Sequence, residues 1–185
     1  MMQLTKGRPA DAAARAPREQ RCYDFLQALD IAYERVDHAP ADTMALCAEI
    51  DEVLQAMICK NLFLCNRQQT QFYLLLIPED KTFKTKDISR QLNVARLSFG
   101  SAEKMGELLD VHPGSVSILA LMNDADNRVQ LLIDSEVTGR AFFGCHPCEN
   151  TTSLRIKTSD LTQKIIPALH HTPIFVELPR YDDAT

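Results

Sequence analysis

Residues 60–81 read KNLFLCNRQQTQFYLLLIPEDK, and the fold follows from how they are interpreted. Two uninterrupted apolar runs, NLFLC at 61–65 and FYLLLI at 72–77, flank the polar link NRQQTQ. Apolar runs of this length, bounded by turn-forming residues, read as buried strands, and the short polar link makes them a hairpin. Pro78-Glu79-Asp80-Lys81 ends it.

Working outward, Cys22, Phe25, Leu26 and Leu29 recur at helical spacing across residues 18–29, and residues 31–36 read as a short strand. Asp42 or Thr43 is placed to cap a helix reaching about Leu54. Beyond the hairpin, Thr85 is expected to cap a helix through Leu92. Ser101 is expected to cap another through Leu109, with Glu103 favourably near its positive end. Residues 112–115 (HPGS) and 123–127 read as turns. The apolar stretch 115–122 reads as a strand or a buried loop. Strands are expected at 130–133, 141–143, 151–156 and 174–178. Ser159 should cap a helix to about His170, in which Pro167 predicts a kink. Strands joined by hairpins or single helices define an α+β class: a mixed, largely antiparallel sheet surrounded by helices. The boundaries expected are a flexible leader at 1–17, a single domain at 18–179 and a tail at 180–185.

Composition narrows the function. The chain has 185 residues, 45% hydrophobic and 24% charged, which is ordinary for a globular protein and too apolar for general disorder. No apolar run approaches the roughly 20 residues of a membrane span, and the first residues carry no apolar signal core, so a cytoplasmic protein is expected. The net charge of −5 does not suggest nucleic-acid binding, yet residues 60–104 hold eight basic and four acidic side chains. A positive face on an acidic chain is therefore compatible with the sequence, as is an ordinary solvated surface.

Six cysteines in a reducing compartment read mainly as small core hydrophobes. Cys145-His146-Pro147-Cys148 is the exception, a C-x-x-C that a redox pair or half a zinc site could use. Against the first, it leads into a strand rather than opening a helix. Against the second, the sequence has no other C-x-x-C or H-x3-H. Two placements remain unusual. Lys60 stands at the mouth of a buried strand, where a lysine suits a phosphate or a carbonyl, or snorkels at an edge. Residues 144–150 form a polar, turn-rich connection between two strands.

Read in order, KNLFL at 60–64, LLLIPEDK at 74–81, RLSF at 96–99, GSVS at 114–117 and GCHPCENTTSL at 144–154 resemble the YbaK/prolyl-tRNA-synthetase-associated editing family. The likeness is greatest to its free-standing prolyl-tRNA deacylases and runs over about residues 23–178. YERVDHAPADT at 33–43 also resembles the family's entry segment.

This resemblance implies a trans-editing hydrolase that cleaves the ester of mischarged proline tRNA, with water as nucleophile and no metal, cofactor or covalent intermediate. Alanine is the first expected amino acid, and serine and cysteine are alternatives. A synthetase pocket built for proline gains only ~1–3 kcal/mol against a smaller side chain, which is why a second site is needed. Lys60 matches the family's essential lysine, which orients the terminal adenosine and its phosphate, and Asn61 matches the next motif position. Gly114, Ser115 and Ser117 match the pocket loop, with amides near Gly114 and Ser115 expected to receive the oxyanion. Gly144, His146 and Asn150 match the GxHPxxN loop, with His146 shaping the pocket or contacting the terminal nucleotide. The implied partners are mischarged proline tRNA and, second, prolyl-tRNA synthetase. The chain departs from the family at Ala56, where glycine is common, and at Ile118-Leu119-Ala120, where proline, an aromatic and glycine are usual. These departures bear on which amino acid fits. The competing readings are a non-catalytic tRNA- or synthetase-binding module of the same fold, and a thiol oxidoreductase using Cys145 and Cys148.

Overall fold

The computed structural model describes residues 2–41 and 43–181. In it the central hairpin forms as expected: β3 (Lys60–Cys65) and β4 (Phe72–Ile77) pair antiparallel from Lys60↔Ile77 to Cys65↔Phe72. Every residue of β4 is buried. Its alternate side chains enter two different cores. Phe72, Leu74 and Leu76 join the larger one, and Tyr73, Leu75 and Ile77 the smaller. A strand covered on both faces needs no polar alternation, which explains the continuous apolar run.

The sheet around the hairpin also contains β5 (Ser98–Phe99), β6 (Val129–Asp134) and β9 (Ile174–Val176), in the order β5-β3-β4-β6-β9. β4–β6 and β6–β9 are parallel, and the other pairings are antiparallel. Parallel neighbours need crossovers, and these carry the helices. Between β4 and β6 run α3 (Thr85–Gln91), α4 (Ala102–Leu109) and a 3-10 helix, Ile118–Asn123.

A second, wholly antiparallel sheet has the order β1-β2-β8-β7, from β1 (Thr5–Lys6), β2 (Tyr33–Asp37), β7 (Phe142–Cys145) and β8 (Thr152–Lys157). The α+β class therefore holds, with strands divided between two sheets. Gly144 joins them. Its N–H donates to Met57 O at 3.1 Å, its carbonyl accepts from Cys59 N at 3.3 Å, and Ile58 bridges it in parallel. A Cβ at Gly144 would lie 2.7 Å from Met57 O, so only glycine permits the approach.

α1 (Pro17–Ala28) begins on a proline at its first helical position and buries Cys22, Tyr23 and Leu26. α2 (Met44–Leu54) is capped by Thr43, whose hydroxyl accepts from Leu46 N at 3.2 Å; Asp42 lies outside the described residues. Ser101 caps α4 as expected, accepting from Lys104 N at 3.2 Å.

Several expectations are corrected. The 1–17 segment supplies β1 and a 3-10 turn, Ala12–Ala14, with Ala12 buried. Arg15 ties it down, reaching Glu19 at 2.8 Å, Asp37 at 2.7 Å and Thr152 at 3.0 Å. The order comes from ion pairs, which an apolar pattern does not reveal. Of the expected tail, Arg180 binds Asp80 and Glu136 and Tyr181 donates to Asp87, while residues 182–185 lie outside the described residues. Thr85 is the first residue of α3 rather than its cap, and its carbonyl accepts from Ser89 Oγ at 2.7 Å. Stretch 115–122 is neither strand nor loop, since most of it forms the 3-10 helix. The last helix starts at Thr158 without a side-chain cap, so Ser159 lies inside it. The distortion near Pro167 is a π turn over Leu161–Ile165, followed by Ile166–Ala168. A proline removes one N–H and crowds the preceding turn, which favours such widening.

Candidate active site

Where the two sheets are stitched together lies a cavity of about 230 Å³. Lys60 from the start of β3, Gly114 from the turn after α4, and His146 and Asn150 from the β7–β8 loop all line it. Ile50 of α2, Ile58, Cys59, Asp51 of α2 and Glu79 complete most of the wall. A larger groove of about 570 Å³ runs past Lys6, Tyr33, Phe142 and Arg155, but no expected site residue lines it.

Lys60 is exposed, and its Nζ donates to Lys81 O at 3.3 Å. That carbonyl is itself fixed. Lys81 is buried and pairs with Asp134 and Glu136, both at 2.8 Å, and its N–H donates to Pro78 O at 3.1 Å. The cation at the cavity mouth thus rests on a loop pinned by a second, buried lysine.

His146 Nδ1 lies 3.0 Å from Thr152 O. A carbonyl only accepts, so Nδ1 carries the proton and Nε2 of the neutral ring keeps its lone pair. Burial, together with the nearby His38, lowers the His146 pKa, although the Thr152 carbonyl opposes the shift. His38 sits edge-on behind it, with ring centroids 6.3 Å apart, and burial lowers its pKa too. Its Nδ1 faces Ala39 O at 2.8 Å and its Nε2 faces Ser153 Oγ at 2.9 Å. Asn150 Oδ1 accepts from Ala41 N at 3.1 Å, tying the loop to the segment before α2.

Gly114 adopts φ +89, a conformation that favours glycine. The turn is closed by Ser115, whose N–H and hydroxyl both donate to His112 O at 3.0 Å. The Ser115 amide is therefore occupied, and the expectation that it receives an oxyanion is corrected; Gly114 N–H closes no hydrogen bond among the described residues. Ser115 and Ser117 are wholly buried and do not line the cavity. Ser117 caps the 3-10 helix, accepting from Leu119 N at 3.3 Å. Asn61 and Gly144 also lie off the cavity wall. Asn61 Nδ2 donates to Cys59 O at 2.9 Å, and Gly144 is the seam between sheets. Of the departures, Ala56 is buried off the wall, and Ile118-Leu119-Ala120 are core residues.

Sequence reasoning missed the two carboxyls of the cavity. Asp51 is pushed up to about 7 by burial, then by its hydrogen bond to Glu79 and that residue's charge. In the sequence Asp51 is one position of an expected helix, and Glu79 belongs to the turn that ends the hairpin. His38 was missed as well, though it lies in the quoted 33–43 segment.

Cys22, Cys145 and Cys148 are free thiols. Cys148 Sγ lies 3.5 Å from Cys22 Sγ of α1, and all of Cys22, Cys145 and Cys148 are buried. Burial pushes the Cys145 thiol up, the reverse of a reactive thiol. Among the described residues, no three His, Cys, Asp or Glu side chains converge as metal ligands would. None of their helices is long and apolar enough to cross a membrane.

The chain belongs to the aminoacyl-tRNA editing domain family, whose profile matches residues 38–164. It is 29% identical over 153 residues to the prolyl-tRNA editing protein ProX of Acetoanaerobium sticklandii, covering 83% of this chain and 93% of that one. It is 29% identical over 171 residues to prolyl-tRNA synthetase associated domain-containing protein 1 of Danio rerio, covering 90% and 92%. The fold matches a crystal structure of a candidate trans-editing enzyme for prolyl tRNA synthetase, with TM-score 0.67, 13% identity and coverage of 90% and 99%.

Proposed function

We propose that this protein clears mischarged proline tRNA in trans, hydrolysing the ester of a small amino acid, alanine first, with serine and cysteine as alternatives. The observation that carries the reading is the convergence of Lys60, Gly114, His146 and Asn150 on one small cavity. An aminoacyl ester is already activated, so orienting it and a water, and stabilising the developing oxyanion, suffices. Lys60 serves as a point charge for the phosphate of the tRNA end. Gly114 N–H is the donor for the ester oxygen. His146 Nε2, a lone-pair acceptor at neutral pH, takes a hydrogen bond from the terminal ribose or the attacking water. Ile50 and Ile58 give the small side chain its apolar wall. Asn61, Ser115, Ser117 and Gly144 act as supports that hold the strand, the turn and the sheet seam.

Proline tRNA is the partner, in the cytoplasm. On a chain of net charge −5, its affinity is modest and gains from prolyl-tRNA synthetase. The experiment is a panel of alanyl-, seryl- and cysteinyl-tRNA for proline, followed for ester loss. Hydrolysis of at least one supports the reading. A panel untouched, with salt-sensitive tRNA binding retained, replaces it with the non-catalytic binding module.

A further inference from the structure

The cavity contains more than an anchor for phosphate. Asp51 and Glu79 line the same cavity as Lys60 and His146. Two carboxyl groups facing one cavity place acceptors and negative charge there. Among the described residues, neither carboxyl forms an ion pair with a lysine, arginine or histidine. Asp51 Oδ1 is shielded from water and takes no hydrogen bond from a protein donor. A shielded acceptor without a donor costs about 1–3 kcal/mol, more where charge is involved, and is expected where a ligand supplies the donor. The remaining ionisable groups around the pair are Lys60, His146, Cys47 and Cys59 in the cavity, and Arg140 and Asp80 in the adjoining cleft.

The substrate class proposed above carries the missing donor. An aminoacyl ester differs from other acyl esters by its α-ammonium group, one positive charge with three N–H donors. Two cavity carboxyls without a cationic partner, one of them holding an acceptor that no protein donor fills, match it in sign and hydrogen-bonding capacity. We propose that the Asp51–Glu79 pair is the subsite for the α-ammonium group of the aminoacyl ester, and so selects aminoacyl over other acyl esters in this cavity. The inference rests on the deacylase reading. It assigns the two ends of the substrate to opposite charges, phosphate to Lys60 and ammonium to the acid pair.

The test compares two esters on proline tRNA, alanyl and lactyl, the latter carrying a hydroxyl in place of the ammonium. Hydrolysis is measured for the unaltered full chain, Asp51→Asn, Glu79→Gln and Lys60→Ala. The unaltered protein is expected to favour the alanyl ester by about tenfold or more in kcat/KM. Asp51→Asn and Glu79→Gln should remove most of that preference, slowing alanyl hydrolysis while lactyl hydrolysis persists, which also reports that the variants fold. Lys60→Ala should slow both esters. An equal fall on both esters in the acid variants, as a general base would give, overturns the inference, and so does no fall on either. If the unaltered protein cleaves neither ester, the deacylase reading itself fails.

Discussion

His38 and His146 share one hydroxyl: Ser153 Oγ lies 2.9 Å from His38 Nε2 and 3.4 Å from His146 Nδ1. Both Nδ1 atoms also face backbone carbonyls, which fixes their tautomers, while burial holds both rings toward the neutral form; only His146 lines the cavity.

Both histidines have pKa values lowered from 6.5, so protonation favours the unfolded chain. Their contribution to stability is intact above the unfolded value, and it is lost as pH falls toward the folded ones. Urea midpoints between pH 7.5 and 5 should therefore decline. His38→Asn should flatten that decline while lowering stability at pH 7.5. An unchanged slope would show that the pair does not govern acid sensitivity.

Lys60 is exposed and contacts one backbone carbonyl, so Lys60→Ala should leave the thermal midpoint nearly unchanged. Deacylation of alanyl-tRNA for proline should nonetheless fall by about a hundredfold or more. A full rate would remove Lys60 from the mechanism.

Gly144→Ala forces a Cβ to within 2.7 Å of Met57 O, a backbone atom that cannot swing aside. The expected loss is about 2–3 kcal/mol in denaturant titration. Gly139→Ala is the comparison, because its Cβ would meet only ordinary contact at 3.6 Å, and it should change stability by less than about 0.5 kcal/mol.

Arg15→Ala should destabilise by about 2 kcal/mol, since its guanidinium bonds Glu19 and Asp37 together with the Thr152 hydroxyl. Amide exchange should quicken at Lys6 and Glu34, where β1 meets β2. Unchanged exchange there would mean that the strand pairs without its ionic tie.

The sequence made the inner hairpin legible because a strand buried on both faces writes an unbroken apolar run, as residues 72–77 do. Lys60, Gly114, His146 and Asn150 were found through motif likeness, and their shared cavity needed coordinates. The partition into two sheets was hidden because Tyr33 pairs with Ile156, a contact made across most of the chain. Asp51 and Glu79 were hidden for another reason: a carboxylate reads as surface until its neighbours are known. Arg15 looked like leader because its partners are polar and scattered.

The seam at Gly144 has a consequence for how such a pocket can diversify. Its depth is gauged by main-chain hydrogen bonds between Met57, Cys59 and Gly144, which side-chain exchange leaves in place. A lineage adapting to a different amino acid would therefore repaint the walls at Ile50 or Ile58 and keep the frame, trading one acyl group for another without rebuilding the protein.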